Sequence, residues 1–128
     1  MRERNLLVSI LLPLSLAWTV QAAGTIDSPR LQGTEIVVTS TADSGPGTLR
    51  QALEQAASGT TITFDPTVFP PDDPTSIFVG PGPLPFVTQG GLTIDGTNAG
   101  VILDGSSLPA DADGLVITSD DNVIKGLQ

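Results

Sequence analysis

The sequence predicts an all-β chain that folds as a solenoid of stacked coils and begins with one short helix. A single helical pattern occurs near the start, and short β-branched runs separated by Gly, Asn, Asp and Ser follow it. The tetrapeptide GLTI at 91–94 recurs 23 residues later as GLVI at 114–117. A repeat of about 20 to 50 residues is typical of solenoids, whose units bury their apolar faces against one another.

Residues 1–22 have the features of a secretory signal peptide. A basic head with Arg2 and Arg4 precedes an apolar run, and Ala22 offers a small residue for cleavage. The run is shorter than the roughly 20 apolar residues that span a bilayer, so we expect no stable membrane span after cleavage. Residues 23–34 are predicted to be a polar linker. Bacterial export would then place the protein outside the cell, secreted or on the surface.

Composition excludes several classes of function. The chain has 14 acidic and 5 basic residues, a net charge of −9, and neither Cys nor His. Binding to a nucleic-acid backbone relies on several Lys or Arg contacts, so nucleic acid is not an expected partner. Without His or Cys, a Ser or Cys catalytic triad is excluded within this segment, and no glycine-rich phosphate loop is present.

Residues 35–128 are predicted to hold the amino-terminal cap and the first coils. The β-branched run at 35–41 predicts the first strand. Thr48 is the predicted N-cap of the helix, Gln51 completes a capping-box pattern, and Gly59 is predicted to end the helix.

The helix is predicted to be amphipathic. Its apolar stripe has helical spacing and consists of Leu49, Ala52, Leu53 and Ala56. We expect Leu49 and Leu53 to pack against the strands. The polar residues are expected to point outward, namely Arg50, Gln51, Glu54 and Gln55.

Short strands are predicted to follow the helix. They are expected at 60–64, 77–79 and 85–88, with a surface loop at 65–76 because four prolines there lack the backbone donor of a central strand. Two further units then begin at Gly91 and Gly114. Their inward candidates are Leu92, Ile94, Val101 and Leu103 in one unit and Leu115, Ile117 and Ile124 in the next.

An ordered series of motifs resembles a known superfamily. The runs VTSTADSGPGTLRQALEQA, TTITFDP, LPFVTQGGLTIDG, VILDGSS and NVIKGLQ resemble the amino-terminal region of secreted right-handed parallel β-helix proteins of the pectate-lyase-like superfamily. The resemblance implies a three-faced coil of parallel strands, wound right-handed, with the helix over its open amino-terminal end. Such proteins continue beyond the NVIKGLQ motif, and solenoids need capping units, so the chain is expected to be a fragment lacking later coils.

The resemblance also implies where chemistry would be found. Pectate-lyase-like enzymes generally use a basic residue, often Arg, and Ca²⁺ held by Asp. Arg50 is interpreted as a solvated or ion-paired cap residue, Lys125 as a surface residue, and Arg30 lies in the linker. None of the three matches a catalytic motif, so no catalytic residue is predicted.

Carboxylates are the remaining candidates for a site. Weak Ca²⁺ candidates are Asp111, Asp113, Asp120 and Asp121, because Ca²⁺ takes several oxygen ligands. Turn chemistry explains these residues better than a metal does. Asp95 and Asp104 raise the question of a paired-carboxylate glycosidase, but each precedes a Gly and is interpreted as marking a turn.

The expected function is binding. The chain is predicted to form the non-catalytic cap and first coils of a secreted or cell-surface β-helix protein used for adhesion or carbohydrate binding. Its expected partner is a polysaccharide or cell-surface glycan, and no cofactor is identified. The alternative is the amino-terminal part of a polysaccharide lyase or hydrolase whose active site lies beyond residue 128.

Overall fold

The computed structural model describes residues 33–128, which form a β-solenoid of about four turns with one short helix. The predicted signal peptide and the linker through residue 32 lie outside the described residues. Within residues 33–128, no helix is long and apolar enough to cross a membrane. The elements in chain order are β1 Glu35–Val38, α1 Leu49–Gln55, β2 Thr61–Phe64, β3 Thr75–Phe78, β4 Thr93–Asp95, β5 Val101–Asp104 and β6 Val123–Lys125.

The strands form two parallel sheets along the coil. The four-stranded sheet has the order β1-β2-β4-β6, and β3 pairs with β5 in the two-stranded sheet. A parallel bridge between Val87 and Ile117 marks a third side of the coil. Each coil therefore contributes one short strand or bridge to each side, which agrees with the predicted stacking of parallel strands.

A column of four isoleucines runs through the interior of the four-stranded sheet. Direct neighbours in the register are Ile36, Ile62, Ile94 and Ile124. The two middle residues are 0% exposed, whereas Ile124 in the last coil is 38% exposed. Burying a side chain of this size contributes roughly 1.5 to 3 kcal/mol, so the middle coils hold the most strongly packed part of the core.

Helix α1 begins as predicted. The Thr48 hydroxyl oxygen accepts a hydrogen bond from the Gln51 N–H at 3.2 Å, and the Gln51 side-chain oxygen accepts from the Gly47 N–H at 2.9 Å. Leu49 and Leu53 are buried in the same apolar core as the inward strand residues, which confirms their predicted direction. The helix packs against β1, the edge strand of its sheet.

The predicted end of the helix is wrong. Helix α1 ends at Gln55 and is followed by Ala56 in an extended conformation, whereas Gly59, with φ of +82°, lies in the turn before β2. The chain leaves the helix early because the Thr60 hydroxyl oxygen accepts from the Ala57 N–H at 3.0 Å. A local side-chain bond of this kind competes with the next turn of helix.

The predicted repeat of 23 residues is also wrong, because the register repeats after 30. Ile94 lies beside Ile124, and the Thr118 N–H donates to the Val87 carbonyl at 2.9 Å. Gly-Leu precedes a strand on more than one side of the coil, so the two tetrapeptides lie on different sides. The strands predicted around Val87 and Ile117 are reduced to the single bridge between them.

Candidate functional site

A groove of about 440 Å³ opens where connections from different coils meet. It is lined by Thr41, Ala42, Asp43, Phe78, Gly80, Pro81 and Ser107, and we call it the Phe78 groove. Phe78 is the last residue of β3, and 57% of it is exposed. Apolar rings usually lie inside a fold, so an exposed ring in a concave surface is a candidate contact for a ligand.

Asp43 is held in place at the edge of this groove. Its Oδ1 accepts from Arg50 Nη2 at 2.7 Å and from the Gly80 N–H at 3.1 Å. Its Oδ2 has no hydrogen bond to any residue between 33 and 128. Burial raises the pKa of Asp43, but the hydrogen bonds from Arg50 and Gly80 lower it further, and the net pKa is below its usual value. Asp43 is therefore an ionised, fixed acceptor with one free oxygen.

Arg50 connects the helix to the loop after β3. It also donates to the backbone carbonyls of Asp43 at 3.2 Å, Gly82 at 3.1 Å and Pro83 at 2.7 Å. The side chain is only 19% exposed, so the prediction that Arg50 points outward is wrong. Its interpretation as an ion-paired residue agrees with the contact to Asp43. The two hydrogen bonds to positions 82 and 83 give it a structural role that no local sequence pattern indicates.

Two close approaches shape the rest of the groove. A Cβ on Gly80 would lie 3.0 Å from the Ser107 Cβ, so glycine allows these two connections to approach each other. Phe78 is paired in register with Asp104 on β5. The exposed ring therefore lies between two carboxylate-bearing segments.

The outer face of the four-stranded sheet holds a second group of polar side chains. Lys125 Nζ lies 2.9 Å from Asp95 Oδ2, and the Thr63 hydroxyl donates to a Glu35 carboxylate oxygen at 3.0 Å. A depression of about 300 Å³ lies here and is lined by Glu35, Thr63, Phe64, Pro66, Asp95, Asn98 and Ala99. The structure thus brings the predicted surface residue Lys125 together with Asp95, which the sequence did not connect.

Asp95 is already engaged through both carboxylate oxygens. Its Oδ1 accepts from the Thr97 N–H at 3.0 Å and from the Thr97 hydroxyl, and its Oδ2 pairs with Lys125. The hydrogen bonds from Thr97 and Lys125 lower the pKa of Asp95 to about 2. Such a carboxylate stays ionised near neutral pH, so it cannot donate a proton as a general acid.

Three strands are followed by the same turn. Asp65, Asp95 and Asp104 each accept a hydrogen bond from the N–H two residues later, in the sequences DPT, DGT and DGS. The interpretation of Asp95 and Asp104 as turn residues is confirmed. They end strands of different sheets, so they lie on different sides of the coil. The third residue of each triplet was the sequence signal for this motif, and the sequence analysis missed it.

The four weak Ca²⁺ candidates lie in two exposed turns. Asp111 and Asp113 precede the Val87–Ile117 bridge, and Asp120 and Asp121 precede β6. Asp121 has φ of 61° at the position that Gly91 occupies one coil earlier, and the Asp120 carbonyl accepts from the Gly91 N–H at 3.0 Å. In residues 33–128, no group of three or more Asp or Glu side chains is placed to hold a metal ion.

Comparison with protein-family models, with curated proteins and with solved structures finds no significant match to this chain. The class of protein that the fold defines is a β-solenoid with parallel strands. Its relation to the pectate-lyase-like superfamily stays a prediction from the sequence motifs.

Proposed function

We propose that this chain binds carbohydrate on the outer surface of a β-solenoid that is exported from the cell. The observation that carries the proposal is the Phe78 groove, which combines an exposed aromatic ring with a fixed carboxylate. The pectate-lyase-like relationship and the right-handed winding implied by the sequence motifs belong to the same proposal. Adhesion to a glycan-covered surface would be the biological use of such a groove.

The chemistry of the groove suits a sugar. A pyranose ring has an apolar face of C–H groups and a rim of hydroxyls. The exposed face of Phe78 can contact the C–H groups, while Asp43 Oδ2 can accept from a hydroxyl. The hydroxyls of Thr41 and Ser107 add donors and acceptors. A volume of about 440 Å³ lies within the range of small-ligand sites.

The groove is also organised before a ligand arrives. The two hydrogen bonds to Asp43 Oδ1 fix that carboxylate, so binding does not have to order it. Immobilising a flexible side chain on binding costs roughly 0.5 to 1.5 kcal/mol. A site whose acceptor is already fixed avoids that cost.

The lyase or hydrolase alternative gains no support from the described residues. Hydrolysis of a glycosidic bond usually needs one carboxylic acid with a raised pKa and one carboxylate. The pKa of Asp104 is lowered by hydrogen bonds from Ser106, as that of Asp95 is lowered by Thr97. Binding without turnover is therefore the function that the geometry of residues 33–128 supports best.

The test compares two exposed phenylalanines. Phe78 and Phe86 are 57% and 56% exposed, but only Phe78 lines the groove. The full chain would be screened for binding to a panel of neutral, acidic and basic polysaccharides, and affinities of F78A and F86A would follow by isothermal titration. We expect F78A to lose about fivefold or more in affinity, since an aromatic contact contributes about 1 kcal/mol or more, and F86A to bind normally. Binding to no polysaccharide, or equal losses in both variants, would contradict the proposal.

A further inference from the structure

The charge around the Phe78 groove points to the class of glycan that it takes. We infer that the groove binds an uncharged polysaccharide and discriminates against polyuronates and sulfated glycans. This inference rests on the proposed carbohydrate binding. It separates the groove from the acidic substrates that the superfamily resemblance implies.

The described part of the chain is strongly acidic. Residues 33–128 contain twelve Asp and Glu and two basic residues, a formal charge of −10. Both basic side chains are paired within the fold, Arg50 with Asp43 at 2.7 Å and Lys125 with Asp95 at 2.9 Å. A negatively charged polymer would therefore approach a surface of its own sign, which slows association and weakens binding.

Arg50 is the basic residue nearest to the groove, and its donors are already occupied. Four hydrogen bonds from its guanidinium go to protein oxygens, at Asp43 Oδ1 and at the carbonyls of residues 43, 82 and 83. Proteins usually recognise a carboxylate or sulfate with a pair of parallel N–H donors from one Arg. With four of five N–H groups used, Arg50 cannot offer such a pair without breaking contacts that hold the helix.

The carboxylate of the groove adds repulsion of its own. Asp43 Oδ2 lacks a partner among the described residues and is ionised, so it suits a hydroxyl donor and repels a second carboxylate. Asp104 lies beside Phe78 in the register of β3 and β5. An uncharged sugar meets neither penalty, because its hydroxyls can donate to the carboxylate while its C–H face covers the ring.

The experiment measures the affinity of the full chain for three polymers at two salt concentrations. The probes are a neutral β-glucan, polygalacturonate and chitosan, in about 0.02 M and about 0.5 M NaCl, with F78A and F86A as paired variants. We expect the β-glucan to bind with less than about a twofold change between the two salts, and to be weakened by F78A alone. Polygalacturonate is expected to bind at least about tenfold more weakly at low salt.

Each other result has a defined meaning. Polygalacturonate that binds tightest and depends on Phe78 would overturn the inference of an uncharged ligand while the proposed carbohydrate binding stands. Chitosan that binds only at low salt, with no effect of F78A, would show attraction by net charge alone and would also overturn the inference. Binding of none of the three polymers, or of any other glycan in the panel, by the folded chain would overturn the proposed function itself.

Discussion

Replacing Leu49 by Ala tests whether helix α1 is a packed cover of the core. Leu49 is 0% exposed and belongs to the same apolar cluster as Val38 and Ile62. Truncating a fully buried Leu to Ala costs roughly 2 to 5 kcal/mol, depending on how far the site can collapse. Helix α1 has seven residues and can shift toward the vacated space, so we expect a loss of about 3 kcal/mol in the free energy of unfolding.

Urea unfolding followed by circular dichroism measures this loss. For a domain of this size the slope is about 1 to 3 kcal/mol per M urea, so the midpoint of L49A is expected to fall by about 1 to 3 M. The matched control is E54A, an exposed position of the same helix, where a change within about 0.5 kcal/mol is expected. Light scattering should also show self-association of L49A, because a loosened cover exposes apolar surface. A loss below about 1 kcal/mol with an unchanged slope would refute the assignment of Leu49 to the packed core.

Two further predictions concern the ion pairs. R50M is expected to lower the free energy of unfolding by about 2 to 4 kcal/mol, between the values for surface and buried pairs, because it also removes three bonds to carbonyls; urea unfolding that matches the parent would contradict this. The pKa of Asp95 is lowered from 3.8 to about 2, so its contribution is present above about pH 4 and is lost as the pH falls toward 2. D95N should therefore be less stable than the parent at pH 6, and the difference should shrink at pH 2; a constant difference would show that the carboxylate charge is not responsible.

Local features of the fold were predictable from the sequence. The Thr48 cap and the Leu49 and Leu53 stripe depend on residues within one or two turns of helix, and both are found. The inward directions of Leu92, Ile94 and Val101 are also found, since all three are buried. Alternation and capping act over a few residues, so their patterns remain legible in a single sequence.

Features that depend on pairing between coils were not predictable in the same way. The similarity of 91–94 to 114–117 is real, but it compares different sides of the coil, and only backbone hydrogen bonds show that Ile94 lies beside Ile124. Arg50 bonds residues 32 and 33 positions away, which no local pattern indicates. The Phe78 groove is assembled from three connections far apart in the chain, so its residues had no common motif.

The constant register of the isoleucine column contrasts with the unequal lengths of the connections. Ile36, Ile62, Ile94 and Ile124 follow one another at intervals of 26, 32 and 30 residues, yet each lies directly beside the next. The differences in length are taken up by the segments between strands, among them those that line the Phe78 groove. Insertions or substitutions in these segments can therefore alter what the surface recognises while the rungs keep their alignment, so that ligand preference and folding are free to change independently.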